Sequence, residues 1–238
     1  WRELRDRFAT RLSFGTAGLR GRQEAGPNRM NRVVVAQAAR GLADHLLAKA
    51  DGGRPSVVIG YDARRNSDVY ARDTAEIMQA AGVDAMLLPR RLPTPVLAYA
   101  VRHFDASAGV MVTASHNPKA FNGLKVYDAD GVQLVPERAN ALSEMIGRCP
   151  DPLAVPVLPP KAEITVLGGA LLDEFVAAVC AQSRYPGDKS SLSIVYTPIH
   201  GAALLPVTKA LAADGFTQVA LVPQQLAPDG DFPTVASP

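Results

Sequence analysis

At 238 residues, 47% hydrophobic and 20% charged, the chain reads as a globular protein long enough to bury a core in one large domain or in up to two average ones. Its 25 basic and 23 acidic residues leave a net charge of +2, with no basic run and no aromatic-basic interleaving, so nothing argues for a nucleic-acid or membrane partner. Two cysteines, Cys149 and Cys180, are too few for a disulfide framework and lack metal-site spacing, and the charged N-terminus is no signal peptide. A soluble, cytoplasmic protein is the expectation.

In chain order, Arg2 to Leu12 suits a short helix, and Ser13 to Arg22 (SFGTAGLRGR) is a glycine- and arginine-rich loop. Glycines allow close approach of a ligand and arginines offer a planar donor fork for phosphate, but a flexible basic loop reads equally well. Asn31 is placed to cap a helix with Val35, Ala38, Ala39, Leu42 and Leu46 on its apolar face. Next comes a unit: strand Val57 to Tyr61, polar turn Asp62 to Asn66, helix Ser67 to Ala81, stop at Gly82, strand Val83 to Leu88. The same plan returns as strand Ser193 to Tyr196, turn Thr197 to Gly201, helix Ala202 to Ala213, stop at Gly215 and strand Val219 to Val222. This internal repeat implies two similar α/β domains.

Between the repeats, Pro93 and Pro95 open a helix to about Phe104, and Ala108 to Val112 (AGVMV) reads as a buried strand. It runs into Thr113 to Tyr127, TASHNPKAFNGLKVY, where Asn117-Pro118 and Asn122-Gly123 both signal turns. Lys125 to Asp128 is expected as a short strand, Asp130-Gly131 as a hairpin turn returning through Val132 to Leu134, and Pro136 as the start of a helix to about Arg148. Five prolines between Cys149 and Pro160 mark a linker, and Leu171 to Ala181 is the first helix beyond it. The expected division is a first domain over residues 1–160 and an incomplete second over 161–238.

The chemistry concentrates at Ser115. A serine hydrolase is a poor fit, because T-A-S-H-N lacks the glycines of a nucleophile elbow, and His116 points away from Ser115 if the backbone stays extended. A hydroxyl among asparagines, a lysine and glycine-arginine loops suits a phosphorylated serine better, since N–H groups and cations stabilise a transferring phosphoryl group. For Asp62 and Arg64 a structural ion pair is expected, and for His200 a packing role in its loop.

TASHNP with the downstream NGLKVY resembles the phosphoserine loop of the α-D-phosphohexomutase family, the phosphoglucomutases and phosphomannomutases. FGTAGLRG (Phe14 to Gly21), GYDARRNS (Gly60 to Ser67) and YTPIHG (Tyr196 to Gly201) agree in order, and the first of these resembles the phosphoglucomutase-2-like branch. The resemblance implies an α/β fold of repeated domains, each a mixed sheet covered by helices, here as domain I and part of domain II. It implies that Ser115 carries the phosphoryl group between the 1- and 6-positions of a hexose phosphate through a hexose 1,6-bisphosphate, which also serves as activator. Lys125 would be the general acid/base. Arg20 and Thr16 would contact the phosphoryl group, His116 and Asn117 would shape its surroundings, and a phosphoserine oxygen would ligate Mg²⁺.

One departure from the family pattern stands out. The family holds its metal with a D-G-D-x-D-R loop, whereas here Asp229-Gly230-Asp231 runs on into Phe232-Pro233. The aspartate ligands are therefore not expected in this chain, and an N-terminal fragment with negligible turnover of its own is. Both ends look cut, since the chain starts at Trp1 and stops within a loop at residues 235–238. The alternatives are a phosphopentomutase of the same family or a non-catalytic sugar-phosphate-binding module.

Overall fold

The computed structural model describes residues 1–15, 18–149 and 163–236. Thr16 and most of the predicted linker, from residue 150 onward, lie outside the described residues. A short helix α1 (Arg2–Phe8) precedes strand β1 (Leu19–Arg22) and the long helix α2 (Arg32–Lys49). Asn31 caps α2 as its sequence suggests, Oδ1 accepting the Val34 N–H at 3.1 Å and so satisfying one of the donors that a helix start leaves orphaned. Strand β2 (Ser56–Tyr61), helix α3 (Ser67–Ala81) and strand β3 (Asp84–Leu87) form the first predicted unit, with Gly82 closing α3 at φ 95°. Helix α4 (Thr94–His103), strands β4 (Ala108–Val112) and β5 (Phe121–Asp128), and helix α5 (Pro136–Gly147) follow.

These strands build one six-stranded mixed sheet in the order β1-β5-β4-β2-β3-β6, where β6 (Thr165–Val166) pairs parallel with β3 beyond the undescribed segment. Strands β4, β2 and β3 are mutually parallel; β5 runs antiparallel to both β4 and β1. Alternation along β5 sends Leu124 and Val126 into one apolar layer, beneath α2, α3 and α5, and Tyr127 into the opposite layer, beneath α4. Helix α6 (Ala170–Cys180) covers that second layer with Leu171, Leu172 and Val176. The second predicted unit appears as β7 (Ser193–Tyr196), α7 (Leu204–Ala213) and β8 (Gln218–Leu221), with Gly215 at φ 90° and the two strands parallel in a sheet of their own.

Strand β5 is longer than expected. Asn122-Gly123, which reads as a turn, lies inside the strand, opposite Gly21 and Arg20 of β1. Tertiary contacts override the dipeptide's turn preference. The Asn122 side chain is fully buried and hydrogen-bonded, and a Cβ on Gly123 would come within 2.3 Å of Leu19 O, so the glycine permits β1 to approach.

Candidate active site

All five residues of β4 are buried, so the core fixes the point at which the chain emerges after Val112. The loop that follows lies beside the Asp62 to Asn66 turn, because β2 and β4 are parallel neighbours ending together at Tyr61 and Val112. Loops at the carboxyl ends of parallel strands are where α/β sheets bind their ligands. Thr113 and Ala114 are buried, and Ser115 is the first exposed residue. Its φ of 56° falls in the left-handed region, uncommon for a residue with a Cβ. That conformation is held by hydrogen bonds from Ser115 N–H to Thr113 Oγ1 (2.9 Å) and from Asn117 N–H to Ala114 O (3.0 Å). The extended backbone assumed from the sequence is thus absent. No hydrogen bond joins Ser115 to the exposed His116 among the described residues.

Arg64 anchors the loop from below. It is 2% exposed, and its guanidinium donates to Pro118 O and Phe121 O through Nη1 (both 3.1 Å), and to Ser115 O (2.8 Å) and Asn117 O (2.6 Å) through Nη2. Nε lies 3.5 Å from Asp62 Oδ2, so the expected ion pair exists and is the weakest of its contacts. Burial lowers the Arg64 pKa from its ordinary value, and Asp62 opposes that shift. Asp62 also accepts hydrogen bonds from the Arg64 N–H (2.9 Å) and the Ser67 hydroxyl (2.7 Å). Asn122 Nδ2 donates to Ser67 Oγ and Arg65 O, tying β5 to the same turn.

Arg20 stands opposite Gly123, and Lys125 is two residues farther along β5, so both cations rise from one face of the sheet with a side-chain-free position between them. Arg20 Nη1 donates to Asn117 Oδ1 at 3.2 Å, which brings Arg20 and Asn117 together. Lys125 is partly buried, and its pKa is lowered from the ordinary lysine value, first by desolvation and then by the Arg20 charge. Gly18, at φ 82°, packs where any Cβ would lie 2.1 Å from Leu124 O, so the glycine loop presses against β5 beside Lys125.

The turns that follow β7 and β8 reach the same region. His200 is buried as expected, its ring nitrogens 3.1 Å from Ala227 O and 2.9 Å from Thr234 Oγ1. It thereby binds the Thr197 to Gly201 turn to the segment carrying Asp229 to Phe232. That segment docks on the Arg64 turn: Arg65 Nη2 meets Asp231 Oδ2 at 2.6 Å, and the Phe232 ring lies 5.5 Å from the Arg64 guanidinium. Among the described residues, no three His, Cys, Asp or Glu side chains group to hold a metal ion. A cavity of about 390 Å³, lined by Leu42, His45 and Arg138 among others, includes none of the groups around Ser115.

The family model for phosphoglucomutase/phosphomannomutase alpha/beta/alpha domain I matches residues 11–149, and that for domain II matches residues 173–238. The chain belongs to the phosphoglucomutase/phosphomannomutase family. Among curated relatives of the family, a probable phosphomannomutase of Haemophilus influenzae is 46% identical over 215 residues, covering 88% of this chain and 43% of the relative. A phosphoglucomutase of Staphylococcus aureus is 35% identical over 238 residues, covering 99% of this chain and again 43% of the relative. The chain thus spans less than half the length of these relatives. Among solved structures, a protein of Thermus thermophilus assigned as a phosphomannomutase superposes with a TM-score of 0.78 at 26% identity, covering 95% of this chain and 48% of that one. A Burkholderia thailandensis member of the family, at 21% identity and a TM-score of 0.72, shares the fold.

Of the residues singled out in the sequence, Ser115, Asn117, Arg20 and Lys125 lie around one loop and one sheet face, with His116 at the loop's exposed edge. Arg64 and Asn122 had no comparable sequence signal. An Asp-x-Arg turn and an Asn-Gly pair look local, and their partners lie more than fifty residues away.

Proposed function

We propose that this chain supplies the phosphoserine half of a phosphosugar mutase, which moves a phosphoryl group between the 1- and 6-positions of a hexose in the cytoplasm. The observation that carries the reading is Ser115, held exposed in a left-handed conformation on a loop flanked by Arg20 and the depressed-pKa Lys125. In the proposed step the substrate hydroxyl forms a new O–P bond to phosphoserine as the Ser115 Oγ–P bond breaks. Its proton passes to neutral Lys125, and the resulting ammonium returns it to the departing serine oxygen. The reverse transfer, from the other phosphate of a hexose 1,6-bisphosphate, regenerates phosphoserine, and Arg20 with Asn117 holds the transferring group.

Magnesium belongs to this proposal with a restriction. Ser115 offers one oxygen, but the described residues hold no carboxylate cluster, and Asp62 is engaged by Ser67 and Arg64, so the metal's remaining ligands have no candidates among them. Phosphate found on Ser115 by mass spectrometry of the full-length gene product supports the reading. Labelling of Ser115 by a fluorophosphonate, with no phosphate present, would instead indicate a hydrolase. For the 238 residues alone, a coupled mutase assay should show negligible turnover, and normal turnover would refute the half-site view.

A further inference from the structure

A buried guanidinium whose four terminal N–H bonds all end on carbonyls of one loop does more than pair with a carboxylate. The carbonyls of Ser115, Asn117, Pro118 and Phe121 converge on Arg64. A trans peptide places each N–H antiparallel to its carbonyl, and the chain contains no cis bond among the described residues. Drawing the Ser115 and Pro118 carbonyls inward therefore turns the N–H groups of the next residues, His116 and Lys119, outward. Three other loop amides are spent internally: Ser115 on Thr113, Asn117 on Ala114 and Phe121 on Pro118. Neither His116 N–H nor Lys119 N–H has a partner among the described residues, and both residues are exposed, as Ser115 is.

We propose that Arg64 is a positioning residue that fixes the serine loop as an anion cradle, in which the backbone amides of His116 and Lys119 receive the oxygens of the phosphoryl group on Ser115. This deepens, and rests on, the phosphoserine reading. Backbone donors held in advance stabilise charge without reorganising, and a phosphoryl group meeting carbonyls instead would be repelled. The task needs Arg64's geometry as well as its charge. A lysine has three donors on a point-like ammonium and cannot span four carbonyls in one plane. The contribution of His116 would then come from its main chain, whereas its imidazole has no assigned task.

The test uses the full-length protein, selectively ¹⁵N-labelled at histidine and lysine, before and after phosphorylation with hexose 1,6-bisphosphate, together with the Arg64→Lys variant. In the wild type the His116 and Lys119 amide protons should move downfield on phosphorylation. In Arg64→Lys those shifts should shrink, and kcat should fall on the order of 10²-fold while KM stays within about three-fold. Wild-type protein that takes no phosphate on Ser115 removes the phosphoserine reading and this proposal with it. Phosphorylated wild type whose two amides do not move overturns the cradle alone, and that measurement decides the matter even if Arg64→Lys fails to fold. A folded Arg64→Lys variant with kcat within about three-fold of wild type, or with only KM changed, also overturns it.

Discussion

Lys125 shows how a sheet register sets the chemistry of one side chain. Opposite-strand pairing puts Arg20 on its face, and partial burial withdraws solvent, and both disfavour the ammonium. As the proposed base, Lys125 must be neutral, so the rate should rise with pH through its pKa, below the range of an exposed lysine. Replacing Arg20 by Gln removes one of the two depressing influences, and the rising limb of kcat against pH should move to higher pH. A limb that does not move would detach Arg20 from Lys125. Lys125→Met should lower kcat on the order of 10²- to 10⁴-fold with a smaller change in KM, as expected for a lost proton-transfer group. The sequence offered Ser115 as a candidate because strand end and hydroxyl fall within one short stretch, and Lys125 through the family resemblance. Arg64 was legible only as a charged turn residue, since its hydrogen bonds run to carbonyls contributed by a different loop.

At the scale of elements, β5 is the strand on which the site is assembled. One of its ends receives the serine loop, its middle carries Lys125, and its pairing with β1 delivers Arg20. That pairing depends on glycine at the two places where strand and glycine loop touch. Gly18→Ala would place a Cβ 2.1 Å from Leu124 O at a φ of 82°, so the backbones must separate. The substitution should destabilise the protein by about 3 kcal/mol, from strain and steric displacement together, and should lower kcat because Arg20 and Lys125 shift with β1 and β5. Denaturant unfolding and steady-state kinetics check both, and a variant of wild-type stability would show that the close approach is not required. Helices were the easiest elements to read: the Asn31 cap and the Gly82 and Gly215 stops are local events whose chemistry sits at the boundary itself. Asn122-Gly123 misled because a turn propensity is local, whereas its place in the sheet comes from a buried side chain and from β1 beside it.

Across the molecule, the two sheets are unequal partners. The six-stranded sheet is covered on both faces, but β7 and β8 make only a two-stranded parallel pair, with Val195 76% exposed. Parallel strands are stable when buried, and α6 spends Leu171, Leu172 and Val176 on the layer beneath α4. Residues 163–236 expressed alone should therefore be largely unfolded, with poor amide dispersion in NMR; a cooperative melt would show instead that they hold a core of their own. The α/β class, the repeated strand-helix-strand plan, the family and the cluster around Ser115 were all written in the order of the residues, because periodicity, caps and short motifs act over a few positions. The strand order, the left-handed turn at Ser115, the placing of Arg20 on the same sheet face as Lys125 and the grip of Arg64 on the serine loop came from the folded chain. Each of those features depends on groups far apart in the sequence, and their proximity is set by core packing and sheet register rather than by the residues on either side.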